Sequence, residues 1–216
     1  AQQEPQLVPD GVVLSSGGEG GGYWSAGNRL QAVALKELGL TVKNVPSAGS
    51  LENLARLLDD SSPVNLAFAQ ADALQLYLSK QPDEVKKLDL LENIGQECVF
   101  IITGTDSKLL NDEDVQGAAG LRLGIPSATS GIAVTFEYMV SQMPELADVE
   151  VIYGDTLNQV EGLGTDDATV DAVMMVHRPR EQSAEVSYAL ENPDRVRFVA
   201  VSDKRFIEET WNGRRV

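Results

Sequence analysis

Cysteine and histidine are almost absent from this chain of 216 residues, which contains one of each, Cys98 and His177. A single cysteine excludes an internal disulfide and a cysteine-based zinc cluster. A single histidine excludes a multi-histidine metal site, so we predict no bound metal. Cys98 lies in a strand-like apolar run, where a buried, inert thiol is expected rather than a nucleophile.

Positive charge and long apolar stretches are also scarce. The chain has 17 Lys and Arg against 33 Asp and Glu, a formal net charge of -16 and a pI near 4.3. The phosphates of nucleic acids and the headgroups of anionic lipids both bind clusters of Lys and Arg. We therefore expect no nucleic-acid partner and no binding to anionic membranes. No apolar stretch is long enough to span a bilayer. The start at residues 1–5 suits a mature end left after removal of an export signal, which favours a periplasmic location.

Short β-branched runs alternate with segments of helical periodicity. In the first half this order predicts a parallel sheet covered by helices on both faces. Ser50 is expected to cap the second helix, and Leu30, Val33, Ala34 and Leu38 are expected on the buried face of the first. The predicted strands are 11–16, 40–46 and 64–69, and the predicted helices are 25–38, 50–58 and 71–78.

A polar stretch at residues 104–120 separates a second series of the same kind. We predict an α/β fold of two lobes, each with a central sheet. Lobe I comprises residues 1–103 with 197–216, lobe II comprises 104–196, and a ligand cleft lies between them. The predicted strands are 96–103, 121–125, 149–153, 170–176 and 196–201, and the predicted helices are a turn at 112–114, then 130–142, 156–163 and 181–190.

Small polar residues connect the strand ends to the helices in both halves. Ligands bind at the carboxyl ends of strands in open α/β sheets, and helix N-termini there suit an anion. Plain helix capping is the alternative for Ser50 and Asp72, and a flexible connection is the alternative for residues 17–22. The candidate ligand-binding residues of the first half are Gly22, Tyr23, Trp24, Ser47, Gly49, Ser50, Gln70 and Asp72.

The second half offers a matching set of candidates after its strands. The hydroxyls near residue 130 exceed what one helix cap needs. Arg178 suits bidentate binding of a carboxylate, with plain surface charge as the alternative. His177 has no evident partner for catalysis and is expected to line the binding site and form hydrogen bonds there. The candidates are Ser127, Thr129, Ser130, Gly131, His177 and Arg178.

Motifs of catalysis and cofactor binding are missing. The glycine-rich residues 17–22 lack the Gly-Lys-Ser/Thr ending of a phosphate-binding loop. No Gly-x-Ser-x-Gly elbow is present, and no nucleophile, base and orienting residue form a recognisable set. We therefore expect a protein that is not an enzyme, with no catalytic residues and no cofactor.

Several short motifs together resemble the type 2 periplasmic solute-binding proteins, most closely the TAXI-type receptors of TRAP transporters. The resemblance implies the two-lobed fold of type 2 periplasmic binding proteins (venus flytrap). It also implies export to the periplasm, capture of a small anionic solute (an organic acid or an amino acid such as glutamate) and delivery to membrane permease subunits. It also implies ligand-facing roles for Tyr23, Ser47, Ser50, Gln70, Thr129 and Ser130. The loop at residues 127–131 departs from the family's Gly-Ser-Gly-Thr form. The motifs are Gly21-Gly22-Tyr23-Trp24, Ser47-Ala48-Gly49-Ser50-Leu51-Glu52-Asn53-Leu54, Asn65 to Asp72, Asp106-Ser107-Lys108, Leu123 to Gly131 and Val170-Asp171-Ala172-Val173.

Two other functions remain open from the sequence. A small transferase or dehydratase on the same two-lobed scaffold would need an acid or base of shifted pKa in the cleft. A ligand-sensing regulatory domain would share the binding site without a transporter.

Overall fold

The computed structural model describes residues 11–116, 120–179, 183–201, 210–211 and 214–215. The chain forms two compact units, Ala1–Asp89 and Leu90–Val216, which are described separately. The interpretation of residues 1–5 as a mature end lies outside the described residues, as does the predicted start of the helix at 181.

The first unit contains a small parallel sheet in the order β2-β1-β3. The alternating order of strands and helices confirms the predicted β-α pattern, although the third strand is far shorter than expected. The elements are β1 (Val12–Ser15), α1 (Gly22–Leu38), β2 (Val42–Val45), α2 (Ser50–Leu58), β3 (Leu66–Ala67), α3 (Ala71–Lys80) and a 3-10 helix (Pro82–Lys87).

The core between α1 and this sheet is small, and the buried face predicted for α1 is wrong in part. Of the four residues predicted to be buried, only Ala34 is, whereas Leu38 is 77% exposed. A 17-residue helix is about 25 Å long, and strands of four residues span only about 13 Å. The sheet is therefore too short to cover the whole helix. The core residues are Leu14, Ala34 and Val42, with Val12, Leu40, Leu66 and Phe68 packed against them.

The second unit contains a five-stranded mixed sheet in the order β6-β5-β7-β4-β8. The long apolar run after residue 170 forms its central strand, as predicted. The elements are β4 (Cys98–Gly104), α4 (Asp112–Gln116), β5 (Arg122–Ile125), α5 (Gly131–Gln142), a 3-10 helix (Pro144–Asp148), β6 (Glu150–Tyr153), α6 (Thr156–Gly162), β7 (Ala172–His177), α7 (Ala184–Glu191) and β8 (Val196–Val199), followed by a separate antiparallel pair, β9 (Thr210–Trp211) and β10 (Arg214–Arg215).

The two compact units divide the chain at a different place from the predicted lobes. β4 pairs antiparallel with both β7 and β8, so both β4 and β8 belong to the second sheet. The prediction assigned residues 98–103 and 197–199 to lobe I. Hydrogen bonding of β4 to the long central strand explains this difference, and such pairing between distant segments leaves no local pattern in the sequence. The predicted cleft between the lobes stays a prediction.

Both faces of the second sheet carry a packed core. Leu123, Ile125, Phe136, Met139 and Met174 are buried on the face covered by α5. Ile102, Val160, Val173, Met175 and Val186 are buried on the face covered by α6 and α7. A strand buried on both faces has a nearly continuous apolar sequence, which is why β7 was predictable.

A bidentate ion pair between Arg122 and Asp171 connects β5 to the segment before β7. Arg122 donates from Nη2 to Asp171 Oδ1 at 2.7 Å and from Nε to Oδ2 at 3.2 Å, and its backbone N–H donates to Oδ2 at 2.8 Å. The hydrogen bonds from the Arg122 side chain hold the pKa of the Asp171 carboxyl below its usual value. The folded state therefore favours the ionised carboxylate.

We expect Asp171→Asn to lower the stability of the second unit in a pH-dependent way. A depressed pKa in the folded state stabilises the protein above the unfolded pKa, about 3.9 for Asp, and this contribution disappears as the pH falls through the folded pKa. The melting temperatures of the parent and the variant should therefore differ at pH 7 and converge towards pH 3. A constant difference across that range would contradict the role of the charge.

Candidate functional site

The carboxyl ends of β1, β2 and β3 lie at one edge of the first sheet because the three strands are parallel. The loops after them, residues 16–23, 46–50 and 68–72, form what we call the first-unit edge. Helices α1, α2 and α3 begin there, and their N-cap residues, Gly21, Gly49 and Gln70, form no side-chain capping hydrogen bond. Backbone N–H groups and the positive ends of three helix dipoles therefore converge on this edge.

The first of these loops places three predicted site residues in the first turn of α1. The helix begins at Gly22, three residues earlier than predicted, so Tyr23 and Trp24 are helical and half-buried, while Gly22 is exposed. The Tyr23 ring packs on Phe68, with centroids 5.6 Å apart and a 49° angle between planes. This contact joins the loop after β1 to the loop after β3. The first turn of α1 contains no acidic residue.

The loop after β2 holds Ser47, Gly49 and Ser50. Gly49 has φ 126° and ψ -162°, a conformation that residues with a side chain rarely adopt. Its N–H donates to Ser47 Oγ at 3.2 Å. The prediction that Ser50 caps α2 is wrong, since Gly49 is the N-cap. Ser50 is 4% exposed, and its Oγ accepts a hydrogen bond from the Gln70 N–H at 3.0 Å, which ties this loop to the loop after β3.

The loop after β3 contains Gln70 and Asp72, both half-buried. Gln70 is the N-cap residue of α3, and Asp72 lies in its first turn. Asp72 Oδ1 accepts a hydrogen bond from the N–H of Ala73 at 2.7 Å. The carboxylate of Asp72 therefore lies at the helix start, as in the capping alternative that the sequence left open.

Buried polar residues beneath this edge were missed at the level of the sequence. Ser15, Ser16 and Asn53 are all 0% exposed. Asn53 Nδ2 donates to the carbonyl oxygens of Ser16 and Phe68, both at 2.7 Å, and the Ser15 hydroxyl donates to Asn53 Oδ1 at 2.6 Å. Two adjacent serines at the end of an apolar strand were the available signal.

In the second unit, β5, β6 and β7 are parallel and end at one edge of the sheet. Residues 126–131, 154–156 and 177–178 form what we call the second-unit edge. Ser130 caps α5: its Oγ accepts from the N–H of Ala133 at 3.1 Å and donates to the carbonyl of Ser127 at 2.7 Å. The hydroxyls of Ser127 and Thr129 are exposed and 3.5 Å apart, and Gly131 is the first residue of α5.

The end of β7 brings His177 and Arg178 to the same edge. Both are half-buried, and His177 pairs across the sheet with Cys98, which is also half-buried rather than fully buried as predicted. Arg178 has no hydrogen bond or ion pair within the described residues, whereas Arg195 and Arg197 each donate hydrogen bonds.

Glu185 of α7 is a further charged group near this edge that the sequence analysis missed. Thr156 Oγ1 donates to Glu185 Oε1 at 2.6 Å. Burial raises the pKa of the Glu185 carboxyl, but hydrogen bonds from Thr156 and Ser183 and the nearby His177 together hold the pKa below its usual value. A carboxylate thus lies beside His177 and joins the starts of α6 and α7.

The helix starts at the two edges differ in side-chain capping. In the second unit, side chains cap α5, α6 and α7, because Ser130, Asp155 and Ser183 each accept from a backbone N–H three residues later. In the first unit no N-cap side chain does so. Carboxylates do lie in two of these first turns, because Glu52 belongs to α2 and Asp72, whose Oδ1 accepts from the Ala73 N–H, belongs to α3. The start of α1 has no such carboxylate and is the most favourable of the three for an anion.

Two features are absent from the described residues. Their His, Cys, Asp and Glu side chains form no group of three or more that could hold a metal ion. Each helix in this part of the chain is too short or too polar to cross a lipid bilayer.

No family model matches the chain, and no curated protein sequence matches it. Solved structures do resemble it. The periplasmic aliphatic sulphonate-binding protein SsuA from Escherichia coli aligns with a TM-score of 0.51 and 13% identity, over 89% of this chain and 57% of that chain. The lactococcal protein OpuAC, in a closed conformation with glycine betaine, aligns with a TM-score of 0.52 and 14% identity, over 88% of this chain and 70% of that chain.

These likenesses show the fold. The chain has the α/β fold of type 2 periplasmic binding proteins, with a three-stranded sheet in one unit and a five-stranded sheet in the other, and this confirms the predicted fold class. The chain spans little more than half the length of SsuA.

Proposed function

We propose that this protein is a solute-binding receptor that captures a small anionic solute and delivers it to membrane permease subunits. The observation that carries the proposal is the convergence of three helix starts at the first-unit edge, where no N-cap residue forms a side-chain capping hydrogen bond. Backbone N–H groups and helix dipoles at such starts stabilise a bound anion. The similar structures are binding proteins, one for aliphatic sulphonates and one complexed with glycine betaine, which supports a binding role.

The finer proposal is a TRAP transporter receptor of the TAXI type that works in the periplasm. Its support is the set of sequence motifs around Tyr23, Ser47 and Gln70, which lie together at the first-unit edge. The proposed solute is a carboxylate or an amino acid. The proposed ligand-binding residues are Gly22, Tyr23, Trp24, Ser47, Gly49, Ser50, Gln70, Asp72, Ser127, Thr129, Ser130, Gly131, His177 and Arg178.

A thermal-shift screen tests this function. We expect organic acids and amino acids, L-glutamate and succinate among them, to raise the melting temperature. A solute at about a hundred times its Kd stabilises the folded state by about 2.7 kcal/mol. Stabilisation by neutral sugars with none by any anion would overturn the proposed solute class.

Arg178→Ala should weaken the binding of a carboxylate identified in that screen by about ten- to hundred-fold. A charge-assisted hydrogen bond contributes about 1.5–3 kcal/mol, and the half-buried guanidinium has no partner within the described residues. Arg178→Lys should restore only part of the affinity because an ammonium group lacks the planar fork. Calorimetric titration measures these affinities. Arg29→Ala, at an exposed position of α1, is the control, and an unchanged Kd for Arg178→Ala would assign Arg178 to the solvated surface.

A further inference from the structure

Helix α2 connects the three loops of the first-unit edge through side chains that point back from its first two turns. Each of these side chains is polar, and none belongs to the proposed ligand-binding set. Their contacts reach the ends of all three strands of the sheet. They are Glu52, Asn53 and Arg56.

Asn53 joins the ends of β1 and β3. Its amide nitrogen donates to the carbonyls of Ser16 and Phe68, both at 2.7 Å, and its amide oxygen accepts from the Ser15 hydroxyl at 2.6 Å. The side chain is 0% exposed, so water does not replace these bonds. Fully satisfied buried networks of this kind fix one arrangement of the groups they join.

Arg56 joins the same network to the end of β2. Its Nη1 donates to Ser15 Oγ at 3.0 Å and to the carbonyl of Pro46 at 2.8 Å. Its Nη2 forms an ion pair with Glu52 Oε1 at 2.5 Å. The planar guanidinium makes these contacts from two nitrogens held in a rigid fork, whereas an ammonium group has a single nitrogen on a flexible stem.

Glu52 extends the connection into the loop that follows β2. Its Oε2 accepts from the backbone N–H of Ala48 at 2.6 Å, next to Ser47 and Gly49 of the proposed site. Its Oε1 forms the ion pair with Arg56 Nη2. Both terminal nitrogens of the Arg56 guanidinium therefore bind protein groups, an arrangement that suits holding the loops rather than binding solute.

We infer that Glu52, Asn53 and Arg56 are positioning residues that hold the three loops of the first-unit edge in the geometry that binds solute. This inference rests on the proposed function and adds the residues that set affinity without contacting the ligand. Loops that are ordered before binding lose less conformational entropy when the ligand arrives. Small misplacements of binding groups reduce affinity strongly, so the support beneath the loops matters as much as the loops themselves.

Calorimetric titration of the full chain with L-glutamate and succinate tests the effect on affinity. Arg56→Met keeps the stem of the side chain and loses its three polar contacts, and it should raise Kd about ten-fold or more. Arg56→Lys, which restores the charge but only some contacts, should raise Kd about three-fold. Val42→Ala removes core atoms of the same sheet and lowers the melting temperature, but should leave Kd within about two-fold. Equal Kd values for Arg56→Met and the parent, or an equal rise in Val42→Ala, would overturn the inference.

Hydrogen exchange without ligand tests the loops directly. Glu52→Ala should speed exchange of the Ala48 amide about ten-fold, and Glu52→Gln should restore its protection because the new amide oxygen still accepts a hydrogen bond. Val42→Ala is again the matched control. Unchanged exchange in Glu52→Ala would refute the positioning role even if solute binds. Failure of both probes to bind the parent protein would count against the proposed function alone, since the exchange result stands without a ligand.

Discussion

Asn53→Ala is expected to destabilise the first unit by about 4 kcal/mol. The substitution leaves the buried Ser16 carbonyl and the half-buried Phe68 carbonyl without their donor, and the Ser15 hydroxyl without its acceptor. Each unsatisfied buried polar group costs about 1–3 kcal/mol. The core beneath it is small, so little stability remains to compensate. Urea denaturation followed by peptide-resolved hydrogen exchange will show loss of protection in residues 11–80.

The second unit provides the internal comparison for this variant. It has separate cores on both faces of its sheet, and we expect its peptides to keep their protection. Asn158→Ala changes an exposed asparagine of α6 and should alter the free energy of unfolding by less than about 0.5 kcal/mol. Parent-like stability of Asn53→Ala would show that its hydrogen bonds add nothing to the fold.

Ile102→Ala should destabilise the second unit by about 4 kcal/mol. Ile102 lies in the middle of β4, is 0% exposed and packs with Val173 and Met175. Truncation of a buried isoleucine to alanine costs about 2–5 kcal/mol through lost transfer free energy and the cavity left behind. The free energy of unfolding from urea titration is the measurement.

A graded series separates packing from other causes of this loss. Ile102→Val removes one methylene and should cost about 1 kcal/mol. Phe198→Ala, at the position opposite Ile102 on the edge strand, removes a side chain that is 38% exposed and should cost less than Ile102→Ala. A larger loss for Phe198→Ala would place the main packing of this face at the sheet edge rather than at its centre.

The parts of the fold that local sequence determines were predictable. The apolar run after residue 170 predicted the central strand, and the hydroxyl of Ser130 followed by a helical pattern predicted the start of α5 within one residue. Strand burial on both faces and helix capping depend on residues that are neighbours in sequence. The alternation of such strands and helices along both halves predicted an α/β fold, and the resemblance of the short motifs predicted its two-lobed class.

Features that depend on distant segments were not predictable. The pairing of β4 with β7 joins residues that are 69 to 79 positions apart, so the local sequence did not show that β4 belongs to the second sheet. Leu38 belongs to an apolar stripe but is exposed because the sheet ends before it. Asn53 resembles any polar residue of an amphipathic helix, and only the position of Ser16 and Phe68 shows why it is buried.

The candidate site could be predicted as loops but not as a set of contacts. The glycines and serines after β1, β2 and β5 indicated where the following helices begin. The role of Ser50 depends on the Gln70 N–H, 20 residues away, and this partner is invisible from the local pattern. Arg178 was predictable because an arginine directly after a buried strand has a position fixed by that strand.

The single cysteine gives this protein one natural attachment point for a fluorescent reporter. Cys98 is half-buried at the start of β4 and lies opposite His177, the last residue of the neighbouring strand β7. Arg178 follows His177 directly in the sequence. Side chains at opposed positions of antiparallel strands have Cβ atoms about 5 Å apart. A thiol-reactive, environment-sensitive dye on Cys98 would therefore sense a solute at the second-unit edge, with no competing thiol to remove first.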